Sequence, residues 1–199
     1  GMKMKEVNRT VQREKVMQSI YQILLFLDEK MDYDATSIIL SVFDVNDVEK
    51  IPQYALQVYI EALKNAKHFI FIETFIIVQG SVWDEILEVL KQKVKEGVEV
   101  KLIYDDFGSI TLPHHYSRQL REIGIEAHRF NHVRARFIIQ MNNRDHRKIT
   151  VIDNQIAFIG GVNLADEYVN RIVRYGYCKD SAMKIEGEAV WSYTVMFMG

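Results

Sequence analysis

The residues best suited to chemistry lie in the stretch Asn142–Asn163, NNRDHRKITVIDNQIAFIGGVN. Within it, His146, Lys148 and Asp153 form the pattern His-x-Lys-x4-Asp. On a strand, residues i and i+2 share one face, so His146 and Lys148 are expected to project together. Ile149 and Val151 would point the other way and anchor the strand, and Asp153 would fall at its end in a turn. Gly160-Gly161 permit close backbone approach, and Asn163 offers an amide at an expected helix start. A neutral imidazole beside a lysine, an amide and backbone N–H groups suits an anionic phosphodiester. The imidazole can attack phosphorus, while Lys148 and Asn163 hold non-bridging oxygens. This logic requires neither metal nor cofactor.

Local charge agrees. Between Arg129 and Lys148 stand six basic residues (Arg129, Arg134, Arg136, Arg144, Arg147, Lys148) and one acid, Asp145, which predicts a basic phosphate pocket. The 199 residues as a whole carry a formal charge of −2, which argues against coating nucleic acid by bulk electrostatics. With 48% hydrophobic and 26% charged residues the chain can bury a core, and its single cysteine, Cys178, excludes an internal disulfide or thiolate cluster. His128 and His132 are four apart but fall in an expected strand-to-loop region without an acidic partner, so no metal site is expected.

The elements that must position these residues can be read from periodicity. Residues 7–31 read as a helix, and 1–50 as an N-terminal helix with a connecting segment. From Pro52 to Ala66 an apolar helical face recurs. Strands are expected at Phe69–Val78, Val98–Tyr104, Ile125–Phe130, Lys148–Ile152, Gln155–Ile159 and Ala182–Ile185. Helices are expected at Trp83–Glu96 and His114–Ile123, closed by Gly97 and Gly124, and at Asn163–Val173. Asp153-Asn154 reads as a hairpin turn. Alternating helices and strands plus a hairpin predict an α/β domain over 51–199, a mixed sheet flanked by helices on both faces. No stretch has the roughly 20 apolar residues of a membrane span. Gly1-Met2 reads like a tag scar, and the apolar run Ala189–Met198 like a helix cut partway, which suggests an excerpt of a longer protein.

The motif and its surroundings resemble the phospholipase D superfamily, and within it the bacterial cardiolipin synthases. The similar segments are FIFIETFII (69–77), YDDFGS (104–109), NNRDHRKITVID (142–153), IGGVNLADEY (159–168) and KIEGEAVWSYTVMF (184–197). The resemblance implies two such motifs across one site, one His forming a phosphatidyl-histidine and the other protonating the leaving alcohol. It implies transfer between two phosphatidylglycerols with release of glycerol, on the bacterial cytoplasmic membrane. By motif position His146 is the nucleophile or its acid–base partner, and Lys148, Asn163, Gly160, Gly161 and Arg144 would bind phosphate. Asp180 matches the acid that orients the His; such a carboxylate would hold Nδ1–H and leave Nε2 to attack. Asp153 completes the motif and looks mainly structural. Glu73, Tyr104 and Asp105 match recurrent family positions in the cleft or packed beneath it.

Two departures stand out. There is one motif, so a second half or a homodimer mate is needed. The family usually has Trp where Cys178 stands. A single-motif homodimeric phosphodiesterase or nuclease is the competing reading, and a non-catalytic phospholipid-binding remnant a third. The expected partners are anionic phospholipid and a membrane surface, with nucleic acid disfavoured.

Overall fold

A computed structural model describes residues 50–131, 144–174, 176–178 and 180–199. The expected helix 7–31 therefore lies outside the described residues. The elements run α1 (Lys50–Lys64), β1 (Phe69–Thr74), α2 (Ser81–Lys95), β2 (Glu99–Asp105), α3 (Tyr116–Glu122), β3 (Glu126–Phe130), β4 (Ile149–Ile152), β5 (Ile156–Gly160), a 3-10 turn (Asp166–Val169), β6 (Ala182–Glu186) and α4 (Val190–Met198).

The six strands form one sheet in the order β3-β2-β1-β4-β5-β6. β1, β2 and β3 are parallel, because helical crossovers α2 and α3 return the chain to the same end. β4 lies antiparallel to β1, and β5 and β6 follow antiparallel. The β4–β5 hairpin joins the paired Ile152 and Ile156 through Asp153, Asn154 and Gln155; Asp153 and Asn154 both have left-handed φ (52° and 53°), and the Gln155 N–H donates to the Ile152 carbonyl at 3.0 Å.

Both faces of the sheet are covered. One carries the larger core, where Ile70, Ile72 and Leu102 pack with Leu63, Trp83, Ile86 and Leu90. The other carries Ile149, Val151 and Ala157 beneath Val190 of α4. Phe197 of α4 stacks on Phe71 at 4.9 Å. By strand alternation Phe71 and Glu73 share this α4 face.

Register decides what meets at each end. The pairs Glu73↔Ile149, Ile149↔Ile159 and Gly160↔Ala182 bring four ends together: those of β1 and β5 and the starts of β4 and β6. The segments flanking them are Phe75–Ile77, Arg144–Lys148, Gly161–Asn163 and Asp180–Ser181.

Two expectations need correction. The strand predicted over Phe69–Val78 stops at Thr74, where Phe75 leaves the sheet; only an isolated bridge, Ile77↔Leu164, follows. The helix predicted over Asn163–Val173 shrinks to the 3-10 turn Asp166–Val169. Asn170 ends it in a left-handed conformation and exchanges two hydrogen bonds with the Cys178 backbone, at 2.7 and 2.9 Å. Asp166 spends its carboxylate capping α2, accepting from Ser81 N at 3.1 Å and Val82 N at 2.7 Å.

Candidate active site

His146 and Lys148 precede β4 rather than lie on it, since the ladder begins at Ile149. They are brought together by Phe75. The exposed His146 ring stacks on Phe75 with centroids 3.9 Å apart and planes 22° from parallel. The Lys148 ammonium sits 5.3 Å from the centroid of the same ring. Lys148 Nζ also donates to the His146 carbonyl at 2.7 Å. Burial pulls the Lys148 pKa below its ordinary value, against the opposing charges of Asp180 and Asp145.

Asn163 is buried beside them. Its Oδ1 accepts the Ile76 N–H at 3.1 Å, which locks the segment after β5 to the segment after β1. That bond orients the amide and leaves Nδ2 as the donor for a ligand.

Asp180 reaches the site because Gly161 has no side chain. A Cβ at Gly161 would run into the Asp180 carboxylate itself. The carboxylate accepts the Ser181 N–H at 2.8 Å and faces Lys148 electrostatically. Among the described residues no carboxylate is hydrogen-bonded to the His146 ring. Gly160 similarly lies against the Ser181 carbonyl and Ala182. Cys178 is raised in pKa, by burial and by the charges of Asp180 and Glu167, which keeps it a protonated thiol at neutral pH.

Asp153 stands at the other end of β4. Seven residues at ~3.3 Å each put it roughly 20 Å along the chain from His146. Its carboxylate accepts the N–H groups of Lys67, His68 and Phe69 at 2.7, 2.8 and 2.8 Å. It fastens the entrance of β1, at the opposite end of the strand from His146.

Further expectations are sharpened or changed by the structure. Arg144 does not reach the phosphate pocket. Its guanidinium donates to the Asn131 carbonyl at 3.0 Å, lies 3.6 Å from Asp105 Oδ1, and covers the Phe107 ring at 5.1 Å. Glu73 and Asp105 are 2% and 0% exposed and are packed at the strand ends rather than open to solvent, while Tyr104, 1% exposed, belongs to the larger core on the other face of the sheet. Among the described residues, the arginines of the expected basic pocket are paired with acids. Arg129 pairs with Asp106, Arg144 with Asp105, and Arg147 with Glu73 and Asp145. Arg134, Arg136 and His132 lie outside the described residues. His128 has an acidic neighbour after all, Glu126 at 3.2 Å.

The residues missed in the sequence reading are Phe75, Asp145 and Arg147. Arg147 Nη2 meets Glu73 Oε1 at 2.7 Å, its Nε meets Asp145 Oδ1 at 3.1 Å, and its Nη1 donates to the Met196 carbonyl at 3.4 Å. The Asp145 N–H in turn donates to Asp105 Oδ2 at 3.3 Å. Burial, then the hydrogen bond and charge of Asp145, push the Glu73 pKa up to about 8, with Arg147 opposing. At Asp145 burial works the same way. There it is outweighed by bonds from Glu73 and from the Arg147 backbone and side chain, and the pKa falls below the usual range.

A family model described as cardiolipin synthase, PLD-like domain, matches residues 59–188. The chain belongs to this family. It is 52% identical over 137 residues to an uncharacterized protein of Streptococcus mutans, covering 68% of this chain and 30% of that one. It is 38% identical over 140 residues to a cardiolipin synthase of Alkalihalophilus pseudofirmus, covering 70% and 28%. The chain thus spans under a third of the length of these curated relatives. The fold resembles NucT from Helicobacter pylori (TM-score 0.54, 15% identity, 74% of this chain and 87% of that chain). It also resembles phosphatidylserine synthase of Haemophilus influenzae (TM-score 0.55, 18% identity, 74% and 34%). The PLD-like domain is therefore the mixed sheet with helices on both faces. Among the described residues no helix is long and apolar enough to cross a membrane, and no group of three His, Cys, Asp or Glu side chains could hold a metal.

Proposed function

We propose that this chain supplies one half of a cardiolipin synthase-type phosphatidyltransferase site, with His146 as its reacting group. The observation that carries the proposal is the convergence of His146, Lys148, Asn163 and Asp180 on one end of the sheet, through segments far apart in sequence. In the first step His146 Nε2 bonds to the phosphorus of one phosphatidylglycerol and the phosphorus–glycerol oxygen bond breaks. The departing glycerol oxygen takes a proton from a second His. In the second step the head-group hydroxyl of another phosphatidylglycerol attacks phosphorus, the N–P bond breaks, and the hydroxyl proton returns to that second His. Lys148 Nζ and Asn163 Nδ2 hold the non-bridging oxygens and stabilise the charge that grows on them. Asp180 steadies Lys148 and stands ready to take Nδ1–H when substrate orders the site. Gly160 and Gly161 let backbone and acid approach that closely.

The second His comes from further chain or from a partner, since no other His here is followed by Lys at +2. The parent protein would work at the bacterial cytoplasmic membrane, on anionic lipid at its surface. The domain boundary falls near residue 51. One second reading has a specific support: the same fold unit makes up 87% of the NucT chain, so a homodimer can complete the site with one His from each copy. The test is to incubate the chain, alone and joined to the remainder of its reading frame, with phosphatidylglycerol and separately with DNA. Cardiolipin and free glycerol from the longer chain support the proposal. Cleavage of DNA by a dimer of the short chain, without lipid turnover, supports the second reading.

A further inference from the structure

Among the described residues, the buried charges beneath His146 do not balance. Three carboxylates converge there: Glu73 from the end of β1, Asp105 from the end of β2, and Asp145 from the segment before β4. Two guanidiniums answer them, Arg144 on Asp105 and Arg147 on Glu73 and Asp145. α4, which covers this face, contributes the Met196 carbonyl and carries no charged side chain. Lys148, the next cation, points toward Phe75 and Asp180 and touches the group only through the charge of Asp145. Two oxygens in the group, Glu73 Oε2 and Asp145 Oδ2, are buried without any donor among the described residues. Two ionised carboxylates in that position would repel each other and leave both oxygens unsatisfied.

We propose that Glu73 carries a proton shared with Asp145, and that this one-proton pair, acting through Arg147, positions His146 and Lys148. The shared proton supplies the missing donor and removes the surplus negative charge in one stroke. Arg147 is the lever, because it lies between His146 and Lys148 in sequence. Its guanidinium is pinned by Glu73, Asp145 and the end of α4, so its neighbours are forced to the opposite side, onto Phe75. The pKa of Glu73, raised by burial and by Asp145, agrees with a carboxyl that is still protonated at neutral pH. Loss of the proton would set Glu73 against Asp145; Arg147 is then drawn more strongly to each, but separation of the two carboxylates breaks its bridge between them and releases the His146 ring. Glu73, Asp145 and Arg147 are positioning residues in this scheme; it rests on reading His146 as the reacting group.

The test uses the intact chain and needs no turnover, so its failure is distinct from failure of the functional reading. Infrared spectroscopy reads the C=O stretch of a protonated carboxyl, and proton NMR reads the cross-relaxation between the His146 and Phe75 rings. The wild type should show both at neutral pH and lose both as pH rises through about 8. Glu73→Gln, whose amide can donate to Asp145 as the protonated acid does, should lack the carboxyl band and keep the ring contact at every pH. Glu73→Ala should lose both. If Glu73→Ala does not fold, the wild type against Glu73→Gln decides. No protonated-carboxyl band at neutral pH, or a ring contact in the wild type that survives above pH 8, overturns the proposal.

Discussion

Replacing Asp153 by Ala separates motif membership from chemistry. The Asp153 carboxylate holds three consecutive N–H groups at 2.7 to 2.8 Å. A hydrogen bond to a charged group contributes about 1.5–3 kcal/mol, and the full value applies only where water cannot replace the acceptor. The Lys67 and His68 donors are exposed and can rehydrate, while the Phe69 donor is half-buried. Together they amount to about 2–3 kcal/mol. Asp153 also sits at φ 52°. Ala tolerates the left-handed region less well than Asp, which adds about 0.5–1 kcal/mol. The expected loss is therefore about 3 kcal/mol, or roughly 6–12 °C in Tm for a domain of this size. Urea unfolding followed by circular dichroism measures it. Asp153→Asn retains one acceptor oxygen and should lose about half as much. Well below its transition, Asp153→Ala should retain the stacking of His146 on Phe75. An unchanged stability, or a disordered His146 in a stably folded variant, would refute the reasoning that puts Asp153 at the far end of β4.

Two other substitutions read the site from different sides. Gly161→Ala places a methyl where the Asp180 carboxylate lies, so under the proposed function it should displace Asp180 and lower phosphatidyl transfer by the longer chain at least tenfold while the fold persists; near-native turnover by that longer chain would show that Asp180 is not needed where it stands. Glu73 makes stability pH-dependent. Its folded pKa of about 8 exceeds the ordinary 4.5, so between those values the folded chain binds a proton that the unfolded chain has released. Stability therefore falls as pH rises through that window, by at most about 1.4 kcal/mol per pH unit. Glu73→Gln should flatten the slope, and an equal slope in both proteins would remove Glu73 as its source.

Much of this arrangement was legible in the sequence because it is set by local rules. The turn at Asp153-Asn154 needs two residues that tolerate left-handed φ, and a strand on either side gives the hairpin its register. Gly97 and Gly124, with φ of 85° and 90°, close their helices as their positions suggest. What could not be read depends on partners far apart in the chain. Counting charges from 129 to 148 gives a basic pocket. The acids that pair with its described arginines include Glu73 on β1, Asp105 at the end of β2 and Asp106 just after it, which only the sheet order brings alongside. Asn163 and Asp166 look like the opening of a helix. Both side chains instead bind backbone around eighty residues away, at Ile76 and at Ser81–Val82. Phe75 reads as one more apolar residue of a buried strand, and becomes a platform for His146 because β1 ends one residue before it.

The central claim is that His146 is the group that bonds to phosphorus. Rapid quench of the longer chain in denaturant at mildly alkaline pH, where the acid-labile N–P bond survives, during turnover of phosphatidylglycerol, followed by proteolysis and mass spectrometry without acid, reads it directly. A phosphatidyl adduct on the peptide carrying His146, absent in His146→Asn, is the predicted result. Full turnover by His146→Asn, or an adduct confined to another residue while His146→Ala retains both steps, would contradict it.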